Sequence, residues 1–396
     1  MAEFWEQSDA ALVAVRLDAD VPDARWDRPG QECGLLQLWL DGAYHQDLIL
    51  ARGEERATYE RLLGRLPAGR HSVEVRPAPE GAPHLPVPRV HGLAVACLTP
   101  QDPCEAFAWE HAPVLWTRGE QDPWESLETD TPLAMFYRPV GDGVEFQCIF
   151  SHEDAGTDTR GLLAQWGRTT DIEWVLSVAA DGSATYQGPG HRTVVHAGRR
   201  DLGRLALSVV GRHGMVSDIA PRGAMRCLFV PRVRWDPQLP REAAMDDWMY
   251  RLTALELVRQ GRLPATHGAD PPTVAALRNY LFLQILRQDH GTPSVALDIQ
   301  VLGDNGHWYS SSGGDWRHAV ARPSAWSTTV WMPDGVAPRA IVAAAAQPLS
   351  GGHIHLAVHR AFRLDADLLP GDPVLTPGQG VALGTGAERV TLWTQT

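Results

Sequence analysis

The sequence contains no lysine, and all 35 of its basic residues are arginine. That absence excludes Schiff-base lysines, the phosphate-gripping lysine of P-loops and the kinase lysine. Cysteine is scarce. The five present (Cys33, Cys97, Cys104, Cys148, Cys227) form no C-x-x-C, and their odd number rules out a complete intramolecular disulfide framework. Cys97 and Cys104 flank Thr99-Pro100 at a spacing that suits either a small disulfide loop or two idle thiols. No apolar run approaches the ~20 residues that span a bilayer. The N-terminus has neither a basic nor an apolar leader region, so the expectation is a cytoplasmic protein, although a secreted chain stripped of its leader would look the same. No G-x-S-x-G elbow, dinucleotide glycine motif or H-E-x-x-H occurs. Fixed-period repeats are also missing, which argues against a solenoid or propeller.

Positive charge is in deficit too. A formal net charge of −13 argues against nucleic acid or an anionic membrane surface as partner, because both require a basic footprint.

What is present describes a globular chain. Its 396 residues exceed one ordinary core and point to two or three domains. Apolar residues make up 44% and charged residues 21%, enough to bury real cores. The 37 Gly and 30 Pro favour many turns and short strands over long helices. Fifteen Trp exceed what cores of this size need, and any that cluster at the surface would form a ligand platform.

Alternation places strands in residues 9–98, 132–150, 172–178, 205–210, 226–230 and 280–396. The fold class expected is all-β dominant, with two or three β-sandwich-like domains and a helical segment near 241–278. The divisions expected are an N-terminal sandwich over 1–98, a linker over 99–131, a central β domain with the helical segment over 132–279, and a C-terminal β domain over 280–396. Met245, Trp248, Leu252, Leu255 and Val258 recur at helical spacing behind Pro240 and before Gly261, predicting a long helix whose stripe is core packing. Asp270-Pro271-Pro272 suggests a second, shorter helix through Leu277.

The segment Leu66-Pro67-Ala68-Gly69-Arg70-His71 feeds an alternating strand, Ser72-Val73-Glu74-Val75. Over about ninety residues this pattern resembles the sandwich modules of carbohydrate-binding proteins, where such a turn precedes a late strand. The resemblance implies a sandwich fold and a sugar-type ligand.

Three constellations carry candidate chemistry. The first follows an apolar strand: His152, Glu153 and Asp154, then Asp171 and Glu173, with Trp166 as a wall and Arg168 as an electrostatic clamp. Imidazole, carboxylate and hydroxyl groups together suit general acid–base work or a divalent cation. Asp158 and Thr159 suit helix capping just as well. The second is His353, His355 and His359, three imidazoles on one strand face, a metal-binding arrangement or a solvated face. The third is the loop 304–316, whose Trp308, Tyr309 and Trp316 suit stacking on sugar rings, although its composition equally suits any long turn between sandwich strands. The leading expectation is a binder of a carbohydrate or similar polar small molecule. The alternatives are a metal-dependent hydrolase or lyase working from 152–173, and a structural module without a small ligand.

Overall fold

In the computed structural model, strand accounts for 50% of the chain, so the all-β class holds. The structure describes residues 1–78, 86–117, 131–153, 158–210, 214–219, 225–263, 274–290, 295–347, 352–375 and 380–395. It divides into two compact units, one formed by Met1–Ala155 with Thr170–Arg234, the other by Gly156–Thr169 with Trp235–Thr396.

The first unit opens with the expected sandwich. One sheet runs Ala2–Gln7, Gly69–Pro77, Gly34–Leu40, Ala43–Leu50, and the other Ala57–Leu66, Ala11–Asp20, Arg89–Cys97. Val13, Val15, Leu17 and Ala19 alternate inward along one strand and meet Leu36, Leu38, Leu48, Leu50, Val73 and Val75 of the opposite sheet. Each fully buried Val or Leu among them contributes roughly 1.5–3 kcal/mol. The turn before Gly69–Pro77 is tied by His71, whose two ring nitrogens lie 2.8 Å from Asp41 Oδ2 and 3.0 Å from the Pro67 carbonyl. Both nitrogens donate only when the ring is protonated, and the Asp41 bond raises the His71 pKa.

Residues 99–131 are more than a linker. They contain helix α1 (Pro103–His111), capped by Asp102 accepting the Glu105 N–H at 2.8 Å, and the strand Val114–Thr117. That strand runs parallel to Arg204–Val209 and antiparallel to Met225–Cys227, with Val114 and Leu115 fully buried. Four residues are too few for a periodic signal, which is why the sequence shows only a loop there. A six-stranded sheet completes this half in the order Arg192–Val195, Ala184–Gly188, Asp171–Val178, Gly143–Phe150, Pro132–Val140, Val233–Arg234.

Side chains join the two halves of this unit by imitating a strand edge. Asp47 Oδ2 accepts the Arg226 N–H and Gln46 Oε1 the Leu228 N–H, each at 2.8 Å. No disulfide joins Cys97 to Cys104: both are thiols.

The second unit is also a sandwich. Its sheets run Trp326–Trp331, Tyr280–His290, His353–Phe362, Val381–Leu383 and Trp308–Ser310, Leu297–Gly303, Pro338–Ala345, Arg389–Thr394. Leu281, Leu283, Ile285, Ile354, Leu356 and Val358 pack from one sheet against Leu297, Ile299, Val301, Ile341 and Ala343 from the other. The long helix belongs here rather than to a central domain. It spans Asp247–Arg259 (α3) and buries Met249, Tyr250, Leu252, Thr253, Ala254, Glu256 and Leu257, leaving Val258 exposed. The buried face is therefore rotated from the expected stripe. Tyr250 sets the rotation, because its ring meets Phe282 and Phe362 edge-on at 5.6 and 5.2 Å. Glu256 is buried with Arg259 as its ion-pair partner, a polar contribution to the face that an apolar pattern cannot reveal. The start of the shorter helix expected at Asp270 lies outside the described residues, and only a 3-10 turn, Leu277–Asn279, follows.

Candidate functional site

Helix α2 (Thr159–Trp166) is part of the second unit. Asp158 caps it by accepting the Gly161 N–H at 2.8 Å, the capping role open in the sequence, a contribution of about 1 kcal/mol. At its other end Gly167 adopts φ 60°, where a Cβ would stand 2.8 Å from Ser327 Cβ and from the Thr328 nitrogen. Glycine therefore lets the helix end lie flat on the strand Trp326–Trp331. Thr328 and Thr329 of that strand donate to the Ala164 and Leu163 carbonyls at 2.6 and 3.1 Å, and the Leu163 carbonyl also accepts the Gly167 N–H at 3.1 Å.

A hairpin supplies the opposite wall. Leu297, Ile299 and Val301 point into the core, so Asp298 and Gln300 face the other way. Asp298 is nevertheless only 2% exposed, because the segment after Trp308–Ser310 folds over it. Its carboxylate accepts the hydroxyls of Ser310 and Ser311 at 2.7 and 2.8 Å and the Ser312 N–H at 2.8 Å. The Ser312 hydroxyl lies 2.9 Å from that of Ser310 and extends the chain of hydrogen bonds. A loop of small polar residues is thereby held rigid by one buried acid.

Between these walls lies a cavity of about 270 Å³, lined by Arg160, Leu163 and Ala164 of α2, by Tyr280, Thr329 and Trp331 of the sheet, and by Trp308–Gly313 and His318. The volume falls just below the roughly 300–1,000 Å³ usual for small-ligand pockets. Tyr309 and Trp331 meet edge to face at 6.0 Å, and the Tyr309 hydroxyl accepts from the Asn305 amide at 2.7 Å. Trp308 is 48% exposed, with the Arg389 guanidinium 5.1 Å from its ring centre. Burial pushes the Tyr280 phenol up to about 12, so it remains neutral. His318 Nε2 lies 3.3 Å from Asp158 Oδ2. No acidic residue is among the described residues lining the cavity.

The expected site residues fall on different elements. Trp308 and Tyr309 line this cavity, whereas Trp316 is exposed on a neighbouring 3-10 turn and is not part of the lining. Trp166 lines a smaller cavity of about 80 Å³ with Trp235, Arg241 and Arg322, and the Arg322 guanidinium lies 3.0 Å from its ring centre. Arg168 pairs with Glu242 at 2.8 Å, both being at most 4% exposed. Ser327 donates to the second Glu242 oxygen at 3.0 Å.

His152, Glu153, Asp171 and Glu173 belong to the first unit, while Trp166 and Arg168 belong to the second. Asp154 lies outside the described residues. His152 is buried with Nδ1 2.7 Å from the Ser151 hydroxyl. The Asp171 carboxylate is buried close to Gly214, where an added Cβ would come within 2.5 Å of its Oδ2. Glu173 accepts from the Gln187 amide at 2.6 Å.

His353, His355 and His359 follow one another along the strand His353–Phe362 as expected, with the first two rings 4.9 Å apart. Among the described residues, however, no group of three or more His, Cys, Asp or Glu side chains is placed to hold a metal ion. The divalent-cation expectation thus finds no support in this histidine row or in the described part of the 152–173 cluster.

Arg160, His318, Tyr280 and Trp331 were missed by the sequence reading. Only the composition of the loop 304–316 signalled this region; Asp298, an acid between Leu297 and Ile299, is the further signal the sequence offers. No known family model matches the chain, and no curated protein is significantly similar to it in sequence, so the functional reading rests on the site's own geometry.

Proposed function

We propose that this protein binds a carbohydrate or similar polar small molecule in the cavity bounded by α2 and the loop Trp308–Gly313. One observation carries the reading: a half-exposed indole and a rigid array of serine hydroxyls border one cavity, with Tyr309 and Trp331 beside them. Sugars present apolar C–H faces that stack on aromatic rings and hydroxyls that need oriented partners. The buried Asp298 fixes the serines before any ligand arrives, which lowers the ordering cost of binding.

A glycan array probed with the full-length wild-type chain and with Trp308→Ala tests the proposal. Retention of a defined set of glycans by the wild type, reduced about tenfold or more in the variant, is the expected result. Absence of any retained glycan, or equal retention by both proteins, overturns it.

A further inference from the structure

Charge inside the cavity narrows the ligand. Arg160 is half-buried and lines the cavity. It makes no hydrogen bond or ion pair with any described residue. Two other arginines of this unit with buried side chains are compensated, Arg168 by Glu242 and Arg259 by Glu256. A chain carrying 48 acidic residues has no shortage of carboxylates to offer. None of the described lining residues is acidic, and the nearby Asp158 is engaged with the Gly161 N–H and with His318.

The position of Arg160 is also adverse for a merely structural cation. It sits in the first turn of α2, which contains no acidic residue, so it faces the positive end of the helix dipole. Room has been left for its head group. Gly313 adopts φ 61°, and an added Cβ there would stand 3.0 Å from an Arg160 terminal nitrogen. The charge is close enough to oppose the burial-driven rise in the Tyr280 pKa, which locates it on the cavity side of the helix.

We infer that the ligand is an acidic saccharide, a sugar bearing a uronic-acid carboxylate that Arg160 grips while Trp308 and the Ser310–Ser312 hydroxyls contact the ring. The inference rests on the proposed carbohydrate site. Arginine's planar fork matches a carboxylate with two parallel hydrogen bonds. Arg160, the one permanent cation among the described lining residues, balances a monoanion, whereas a phosphate dianion would leave charge uncompensated.

Calorimetric titration of the full-length protein with di- to tetrasaccharides of galacturonate, glucuronate and mannuronate, beside the neutral oligomers of the same sugars and sulfated counterparts, tests the inference. The wild type is expected to bind at least one uronate series about tenfold or more tightly than its neutral homologue. Arg160→Gln removes that preference, Arg160→Lys restores part of it, and Trp308→Ala weakens both series. Preference for neutral or sulfated sugars over uronates overturns the inference, as does an Arg160→Gln variant that retains the full uronate preference. If neutral glycans bind through Trp308 and are indifferent to Arg160, the carbohydrate site stands and only its acidic specificity fails. If no saccharide of any series binds, both readings fail.

Discussion

Asp298 and Ser312 are joined by a 2.8 Å hydrogen bond from the Ser312 backbone N–H to Asp298 Oδ1, and that bond helps turn the serine loop into a fixed wall. Removing the carboxylate leaves the Ser310 and Ser311 hydroxyls and the Ser312 N–H without their acceptor. Asp298→Ala should cost roughly 3 kcal/mol in urea denaturation, with Asp298→Asn falling between it and the wild type. An alanine variant within ~0.5 kcal/mol of wild type would show that the loop holds itself without the acid.

The seat of α2 depends on Gly167. Gly167→Ala places a methyl group 2.8 Å from a backbone nitrogen that cannot swing away and forces a positive φ on a residue with a Cβ. A loss of about 2–3 kcal/mol is expected. Gly182→Ala is the control, since φ is also positive there but nothing lies within 4 Å. The difference between the two variants measures packing alone. Equal losses would refute the close-approach account.

Two histidines of the first unit give stability slopes of opposite sign. His45 is buried, with Nε2 3.0 Å from the Leu63 carbonyl and Nδ1 3.2 Å from the Gln46 amide, and desolvation lowers its pKa to about 4. The unfolded chain therefore binds the extra proton first, and stability falls by roughly 3 kcal/mol as pH drops from about 6.5 toward 4. For His71, raised by its bond to Asp41, the contribution is complete below the ordinary histidine pKa and is lost as pH rises through the folded value. Melting curves across pH should lose part of their acid-side decline in His45→Gln, and part of their decline as pH rises past the ordinary histidine pKa in His71→Gln. An unchanged profile in either variant contradicts the assignment for that residue.

Arg168 and Glu242 are both almost wholly buried, so breaking their pair should be costly. Arg168→Met or Glu242→Leu alone is expected to lose about 3–5 kcal/mol, because a buried charge is left uncompensated. The double variant Arg168→Met with Glu242→Leu should recover much of that loss. Additive losses in the double variant would show that the two charges do not depend on each other.

These relationships explain how far the sequence could be read. The strands at 281–286, 295–302 and 326–332 announce themselves, because each is a run of six or more residues rich in apolar, aromatic or β-branched side chains between turn signals. Val114–Thr117 does not, since four residues give no period. The buried face of α3 was mistaken because Glu256 lies inside with Arg259 while Val258 faces solvent. Within the candidate site, Trp308 and Tyr309 were legible from loop composition. Arg160 was not: it lies almost 150 residues earlier, on a helix that follows a strand of the first unit but packs within the second. No local pattern reports that crossing. The 152–173 cluster is divided between the units, Trp166 and Arg168 falling in the second and His152, Glu153, Asp171 and Glu173 in the first.

The most direct test of the account follows the indole N–H resonances of the full-length chain, assigned by single Trp→Phe variants, as a glycan retained on the array is titrated in. Trp308 and Trp331 border the proposed site, whereas Trp109 is 1% exposed and belongs to the first unit. The account predicts saturable shifts at Trp308 and Trp331 with Trp109 unmoved. Saturable shifts elsewhere, with Trp308 and Trp331 unchanged, would contradict it.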